Sequence, residues 1–390
     1  MQIQQINIYP TILPFSAEFS HSLRKRLSVK NVVIEIVAEN GKIRGYGEGA
    51  PRSYVTGETQ KSVAKSIHRL TQKSSFPWKC NGVSSIWSLI DSLSNDSGHN
   101  AAICALETAL LDALGRYQHK NIIDFFPKDF LAETVSYGAT IPLGNDRRIL
   151  QLLKLCKKME INTLRIKVGK DIEQNKKMLD VVSSVFGNDY NLRVDINGVW
   201  DYKTALNHIP LFNRYNVKVV EQPLNPGDEG IVAVTKQMKE KGIMLMADES
   251  ACTLSDVKRI TRGGYCNMIN VRLSKCGGFR KSLGIIDYLR SNSIPFQIGC
   301  HLGESGILSA AGRVLCLLCR DAVYFDGSYD EYLLKENITK QDVSFGLQGK
   351  AGLINGSGLG VDIDLHRLKG LCLDAEIETI ANPNPQRIVQ

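Results

Sequence analysis

Two early stretches, QQINIYPTILPF and NVVIEIVAENGKIRGYGEG, carry the apolar runs of strands, and the second folds back at Glu39-Asn40-Gly41. Helical periodicity follows from Lys61 to Thr71 and again in HNAAICALETALLDALGRYQ, where Ala102, Ala105, Leu106, Ala109 and Ala113 share one face. The first third is therefore an α+β unit. From about Thr134 the pattern changes: short apolar runs alternate with helical stretches through TVSYGATI, TLRIKVG, LRVDIN, VKVVEQP, IMLMADES, MINVRLS, FQIGCHLG and AVYFDGS. Successive runs are separated by about one helix and its loops, which implies parallel β/α units. This is an α/β chain. Eight such runs in succession predict a closed (β/α)7–8 barrel of the TIM type rather than an open sheet. No internal sequence repeat accompanies them. After Tyr332 the chain turns irregular and Gly-rich, as in GKAGLINGSGLGVDID, and is expected to return to the first unit. The expected division is 1–130, 131–332 and 333–390, with the barrel in the middle and the final ANPNPQRIVQ a frayed tail.

The 390 residues suit about two domains, and 43% hydrophobic with 23% charged residues is ordinary globular composition. No uncharged apolar run approaches the roughly 20 residues of a membrane helix, and MQIQQINIYPTILPF lacks the pattern of a signal peptide. A soluble cytoplasmic protein without a membrane partner is expected. The net charge is +8, but the cations are scattered. Lys154, Lys157 and Lys158, like Lys236, Lys239 and Lys241, fall at helical spacing among apolar residues and read as solvated faces. No basic stripe interleaved with aromatics points to nucleic acid, whereas a mild positive field suits a small anionic substrate. The ten cysteines lie mainly in apolar contexts, and Cys316 and Cys319 have no second pair for zinc, so reduced core thiols are expected.

The ends of the strands carry the chemistry. Asp195, Glu221 and Asp248 each close one of three consecutive runs. Strand ends of a barrel converge on one face. Three carboxylates there need a cation, and hard oxygen donors suit Mg²⁺, with Mn²⁺ as the alternative ion. The competing structural explanation is three loop-entry acids that merely cap helices. One unit earlier, Arg165 and Lys167 stand two apart, so both can face the interior. Burial beside a guanidinium and a metal lowers a lysine pKa, which makes Lys167 a candidate base, while Arg165 keeps its proton. Asn270 and Arg272 share a face one unit after Asp248, which puts Arg272 across from Lys167. His301, Glu304 and Asp326 end the last two strands.

LRIKVG, VDINGVW, VEQPL, MADES and NVRLSKCGG together resemble the enolase superfamily in its muconate-lactonizing-enzyme subgroup, which includes o-succinylbenzoate synthases and dipeptide epimerases. GYGEGAPRSYVTGET resembles the capping-domain loop, and ALETALLDALGR the helix leading into the barrel. The resemblance implies a TIM-type barrel with an α+β capping domain built from the N-terminal third and the C-terminal segment, metal ligands Asp195, Glu221 and Asp248, base Lys167, and a homo-oligomer, since family barrels often assemble as dimers or octamers. Two departures stand out. The subgroup carries a second lysine where this chain has Arg272, and the epimerases' Asp-x-Asp pair is reduced to Asp326 with Ser328. Arginine stabilises an enolate but exchanges no proton, so a second donor would have to be Lys275, His301 or water, or the reaction must use Lys167 alone.

The expected chemistry is α-proton removal by Lys167 from a small carboxylate substrate, with metal and Arg272 stabilising the enediolate. Arg24, Arg52 and Tyr54 of the capping segment, together with Asn197, Asn270, His301, Glu304 and Asp326, are the expected substrate contacts. The loops at 17–25 and 52–56 are expected to close over it. Cycloisomerisation or syn-elimination is the preferred outcome, and epimerisation of an amino-acid derivative or dipeptide the alternative. A barrel kept for binding or assembly is the alternative of a different class.

Overall fold

A computed structural model gives the protein's structure and describes residues 1–20, 25–93, 97–144 and 146–383. The chain opens with β1 (Ile3–Ser20), β2 (Lys25–Ala38) and β3 (Ile43–Gly49), three antiparallel strands of one sheet. Glu39, Asn40 and Gly41 turn the last two with φ of 51°, 57° and 81°. Asn and Gly accept that left-handed backbone at low cost. Helices α1 (Gln60–Thr71), α2 (Val83–Asp91) and α3 (Asn100–Gln118) follow.

The periodicity of α3 predicts one buried face, yet the helix is buried continuously from Asn100 to Gly115. The reason is its position between β3 and the barrel. Gly45, Gly47 and Gly49 on β3 leave no room for a side chain: a Cβ on Gly47 would lie 2.1 Å from Ala105 O and 2.4 Å from Ala109 N. Every second strand residue, about 6.7 Å apart, meets every fourth helix residue, about 6 Å apart. Glycines and alanines thus bring the two backbones into contact.

TVSYGATI, expected as one strand, divides at Tyr137-Gly138. β4 (Thr134–Ser136) leaves to pair with a late segment, and β5 (Ala139–Ile141) begins the barrel. The barrel continues through α4 (Asp146–Lys158), β6 (Thr163–Lys167), α5 (Ile172–Phe186), β7 (Asn191–Asp195), α6 (Tyr202–Arg214), β8 (Val217–Glu221), α7 (Ile231–Glu240) and β9 (Met244–Ala247). It is completed by α8 (Leu254–Arg262), β10 (Met268–Arg272), α9 (Leu273–Cys276), α10 (Gly278–Ser291), β11 (Phe296–Gly299), α11 (Gly306–Leu317) and β12 (Tyr324–Phe325). These eight strands pair in parallel and in chain order. Gly138 N donates to Phe325 O at 2.9 Å and joins the first strand to the last.

After α12 (Asp330–Leu333) come β13 (Lys350–Gly352), which pairs with β4, and α13 (Leu365–Gly370). β14 (Glu378–Ala381) then adds to the outer edge of β1, with Ala381 opposite Gln5. Asn382 Nδ2 donates to Ile3 O at 2.8 Å, so order extends into the stretch expected to be frayed. The first sheet grips the barrel through Glu48, whose carboxylate accepts from Ser305 N and Oγ, Leu308 N and Asn31 Nδ2. Among the described residues, no helix is long and apolar enough to cross a membrane. All ten cysteines are free thiols, and Cys316 and Cys319 are buried.

Candidate active site

The alternation of β6 points Arg165 and Lys167 inward, and both are buried. The register then aligns the site: Lys167 lies opposite Asp195, and Asp195 opposite Glu221. The strand-end acids are not helix caps. Asp171, Asp201 and Thr253 cap α5, α6 and α8 with side-chain oxygens on first-turn amides, while Gly230 precedes α7 without any side-chain cap. That leaves Asp195, Glu221 and Asp248 facing the barrel mouth, each fully buried.

Cations hold all three. Lys167 Nζ is 2.6 Å from Asp195 Oδ2 and 2.8 Å from Asn197 Oδ1. Arg165 donates to Glu221 Oε2 at 3.0 Å. Arg272 Nη2 lies 3.0 Å from Glu221 Oε1 and 2.5 Å from Asp248 Oδ2. The second contact lacks the alignment of a hydrogen bond, so that buried oxygen has no hydrogen-bond partner. Lys275 Nζ donates to Asp248 Oδ1 at 3.0 Å, to Asp248 O at 2.8 Å and to Asn270 O at 2.6 Å. Burial alone would raise the Glu221 pKa, but Arg165, Arg272 and Lys167 outweigh it and bring it down to about 2. Burial and the like charge of Glu221 leave Asp195 raised despite Lys167 and Arg165. Burial, Asp248 and Asp195 push Glu249 up to about 8.

Lys167, Arg165, Arg272 and Asn197 line one cavity, with Tyr54 of the first unit at its wall. The other expected contacts have supporting places. Asn270 donates to Glu221 Oε1 at 2.7 Å. Arg52 is buried and donates to the carbonyls of Lys30, Pro51 and Leu302 and to Asn31 Oδ1. Glu304 accepts from His301 N at 2.6 Å, and its carboxyl is raised to about 8 by burial. His301 is buried, and burial with Arg272, Arg52 and Lys275 holds its imidazole far below the ordinary range. Asp326 is occupied by Arg193 at 2.8 and 3.0 Å, by Arg165 at 3.3 Å and by Gln297 at 3.2 Å. Ser328 Oγ accepts from Arg313. Arg24 lies outside the described residues.

Several contributors escape sequence reasoning. Arg193 stands two residues before Asp195, and strand alternation alone would have placed it inside. Gln222 Oε1 accepts from Asp248 N at 3.0 Å and from Ser250 Oγ at 2.9 Å, so it shapes the turn that carries Asp248. Cys300, Arg148, Leu152, Leu302, Tyr329 and Tyr332 complete the cavity wall. A cysteine in an apolar run gives no sign in sequence of facing a cavity.

Among the described residues, no group of three His, Cys, Asp or Glu side chains stands ready-made around one ion position. The donor set nevertheless fits a hard divalent cation: three carboxylates on adjacent strand ends, with the Asp248 oxygen lacking a hydrogen bond. The Arg272 nitrogen stands between Glu221 and Asp248, and Lys167 is paired with Asp195.

Comparison with known proteins places the fold. The profile of the family described as "Enolase C-terminal domain-like" matches residues 150–367. A hydrophobic dipeptide epimerase of Enterococcus faecalis is 29% identical over 319 residues, 80% of this chain and 86% of that one. The solved structure of a dipeptide epimerase from Enterococcus faecalis, complexed with Mg and the dipeptide L-Leu-L-Tyr, superimposes with a TM-score of 0.80 at 26% identity, covering 93% of this chain and 100% of that one. An N-succinyl Arg/Lys racemase from Bacillus cereus shares the fold, with a TM-score of 0.83 at 20% identity over 97% of this chain and 100% of that one. With more than half its length matched by the family profile and its relatives named as epimerases and racemases, this chain belongs to the enolase C-terminal domain-like family and is an enzyme of the enolase superfamily.

Proposed function

We propose that this enzyme removes the α-proton of a small carboxylate substrate with Lys167, and that the intermediate resolves by cycloisomerisation or syn-elimination. One observation carries the proposal: Lys167 and Arg272 line the same cavity from opposite sides of the barrel, and only the lysine can exchange a proton. Asp195, Glu221 and Asp248 would hold Mg²⁺, which supplies Lewis-acid stabilisation to a substrate carboxylate and the enediolate derived from it. Arg165 keeps Glu221 oriented and charged, and Lys275 orients Asp248. Asn197 steadies the lysine amine and also donates to Glu249 Oε1 at 3.1 Å. Arg272 offers the developing enolate oxygen a positive charge that it cannot lose. Tyr54 and the apolar wall of Leu152, Leu302, Tyr329 and Tyr332 exclude water from the proton-transfer step.

A second outcome, epimerisation of an amino-acid derivative, is favoured by the names of relatives such as the hydrophobic dipeptide epimerase and the N-succinyl Arg/Lys racemase. It requires a proton donor on the face opposite Lys167. Lys275 is saturated by three oxygens, whereas the Cys300 thiol lies on the cavity wall.

A screen of N-acyl amino acids, dipeptides and diene-diacids in D₂O tests both outcomes. Deuterium is expected at the α-carbon without inversion, and EDTA is expected to abolish the exchange. Exchange that persists without metal refutes the proposed mechanism, and inversion of configuration selects the epimerase.

A further inference from the structure

We propose that Arg272 and the divalent cation compete for the same two carboxylate oxygens, so that metal binds tightly only after the guanidinium has swung into the cavity. This rests on Asp195, Glu221 and Asp248 being the metal-holding set. In each of two carboxylates Arg272 meets one oxygen and a different cation holds the other. Arg165 fixes Glu221 Oε2, and Lys275 fixes Asp248 Oδ1. The other oxygens both meet a single nitrogen, Arg272 Nη2: Asp248 Oδ2 at 2.5 Å, and Glu221 Oε1, which also accepts from Asn270 at 2.7 Å and Arg165 at 3.3 Å, at 3.0 Å. One cationic nitrogen between carboxylates of neighbouring strands occupies the position that a small cation would take.

The guanidinium is poorly anchored otherwise. Its Nε is buried without a hydrogen-bond partner. It also lines the cavity, so its far side opens on the space where an anionic substrate would lie. Guanidinium matches a carboxylate in two-pronged fashion, which gives Arg272 a place to go. Unlike a lysine, it cannot leave the oxygens by losing its proton. Charge reinforces the competition: within ion-pair distance the three carboxylates already face four cations, Arg165, Lys167, Arg272 and Lys275. A further divalent charge is disfavoured until one of the four withdraws. Because coupling is reciprocal, an anionic substrate that draws Arg272 away strengthens metal binding, and metal strengthens substrate binding.

The test is Mn²⁺ binding to the full chain, read by electron paramagnetic resonance of the free ion with no substrate present. Arg272→Met is expected to bind Mn²⁺ at least tenfold more tightly than the wild type, with Arg272→Lys between the two. Equal or weaker binding by a folded Arg272→Met overturns the competition. If that variant is marginally folded, its melting temperature should rise more on adding Mn²⁺ than the wild type's does, and an equal or smaller rise also overturns the proposal. Asp248→Asn separates the two levels of argument. If it weakens Mn²⁺ binding while Arg272→Met leaves binding unchanged, the metal site stands and the competition fails. If no variant binds Mn²⁺, both fail.

Discussion

Lys167 and Arg272 differ in one respect that matters here: whether a cation can release a proton to become a base. Lys167→Ala is expected to lower α-proton exchange about 1,000-fold, in the range typical of a lost general base, with Mn²⁺ binding retained. Deuterium incorporation followed by NMR would check it, and normal exchange in that variant would remove Lys167 from the mechanism. Around this amine Lys167 pairs with Asp195, and Arg165 and Arg272 with Glu221, each across strands, which is how so many ionised groups are tolerated in one core. Single residues also show where sequence reasoning stops. Lys167, Asp195 and Glu221 are legible because each ends an apolar run with a polar residue. Asp326 is equally visible, but its capture by Arg193 is not, since the partner lies 133 residues away. Cys300 is invisible for a different reason: a thiol suits a core as well as a cavity wall.

Between elements, the tightest constraint is the contact of β3 with α3. Gly47→Ala would force its Cβ within 2.1 Å of Ala105 O. Backbone, unlike a flexible side chain, cannot turn aside. The expected loss is about 3 kcal/mol or more, measurable by urea unfolding, and a neutral result would mean that the helix can shift on the strand. A second contact between elements depends on pH. Glu107 on α3 accepts from Phe279 N and Arg280 N at the start of α10, and burial raises its carboxyl from 4.5 to about 8. A raised acid favours the folded state below its unfolded value. That contribution is lost as pH rises from about 4.5 through about 8. Melting temperature should therefore fall across that window in the wild type and fall less steeply in Glu107→Gln. Equal slopes would assign the pH dependence to other groups. The barrel strands were readable from apolar runs with helices between them. The break at Gly138 was not, because it is imposed from elsewhere: a Cβ there would meet Arg193 Nη2 at 2.8 Å and Thr163 O at 2.9 Å.

At the scale of the molecule, Glu48 ties the antiparallel sheet to the barrel by closing the start of α11. Glu48→Ala would leave Ser305 N and Leu308 N without their acceptor. The expected cost is roughly 3 kcal/mol, seen in denaturant unfolding. An unchanged midpoint would show that the sheet docks without it. The first sheet and the barrel were legible as separate pattern types, but β14 was not. ETIA is short and mostly exposed, and only its pairing with β1 gives it the shape of a strand. That late strand has a consequence for biosynthesis. Gln5 waits for Ala381, so the outer edge of the opening sheet stays bare until β14 has been made. An uncovered edge invites pairing with a neighbouring nascent chain, and a version ending before β14 should form aggregates that the chain carrying β14 avoids.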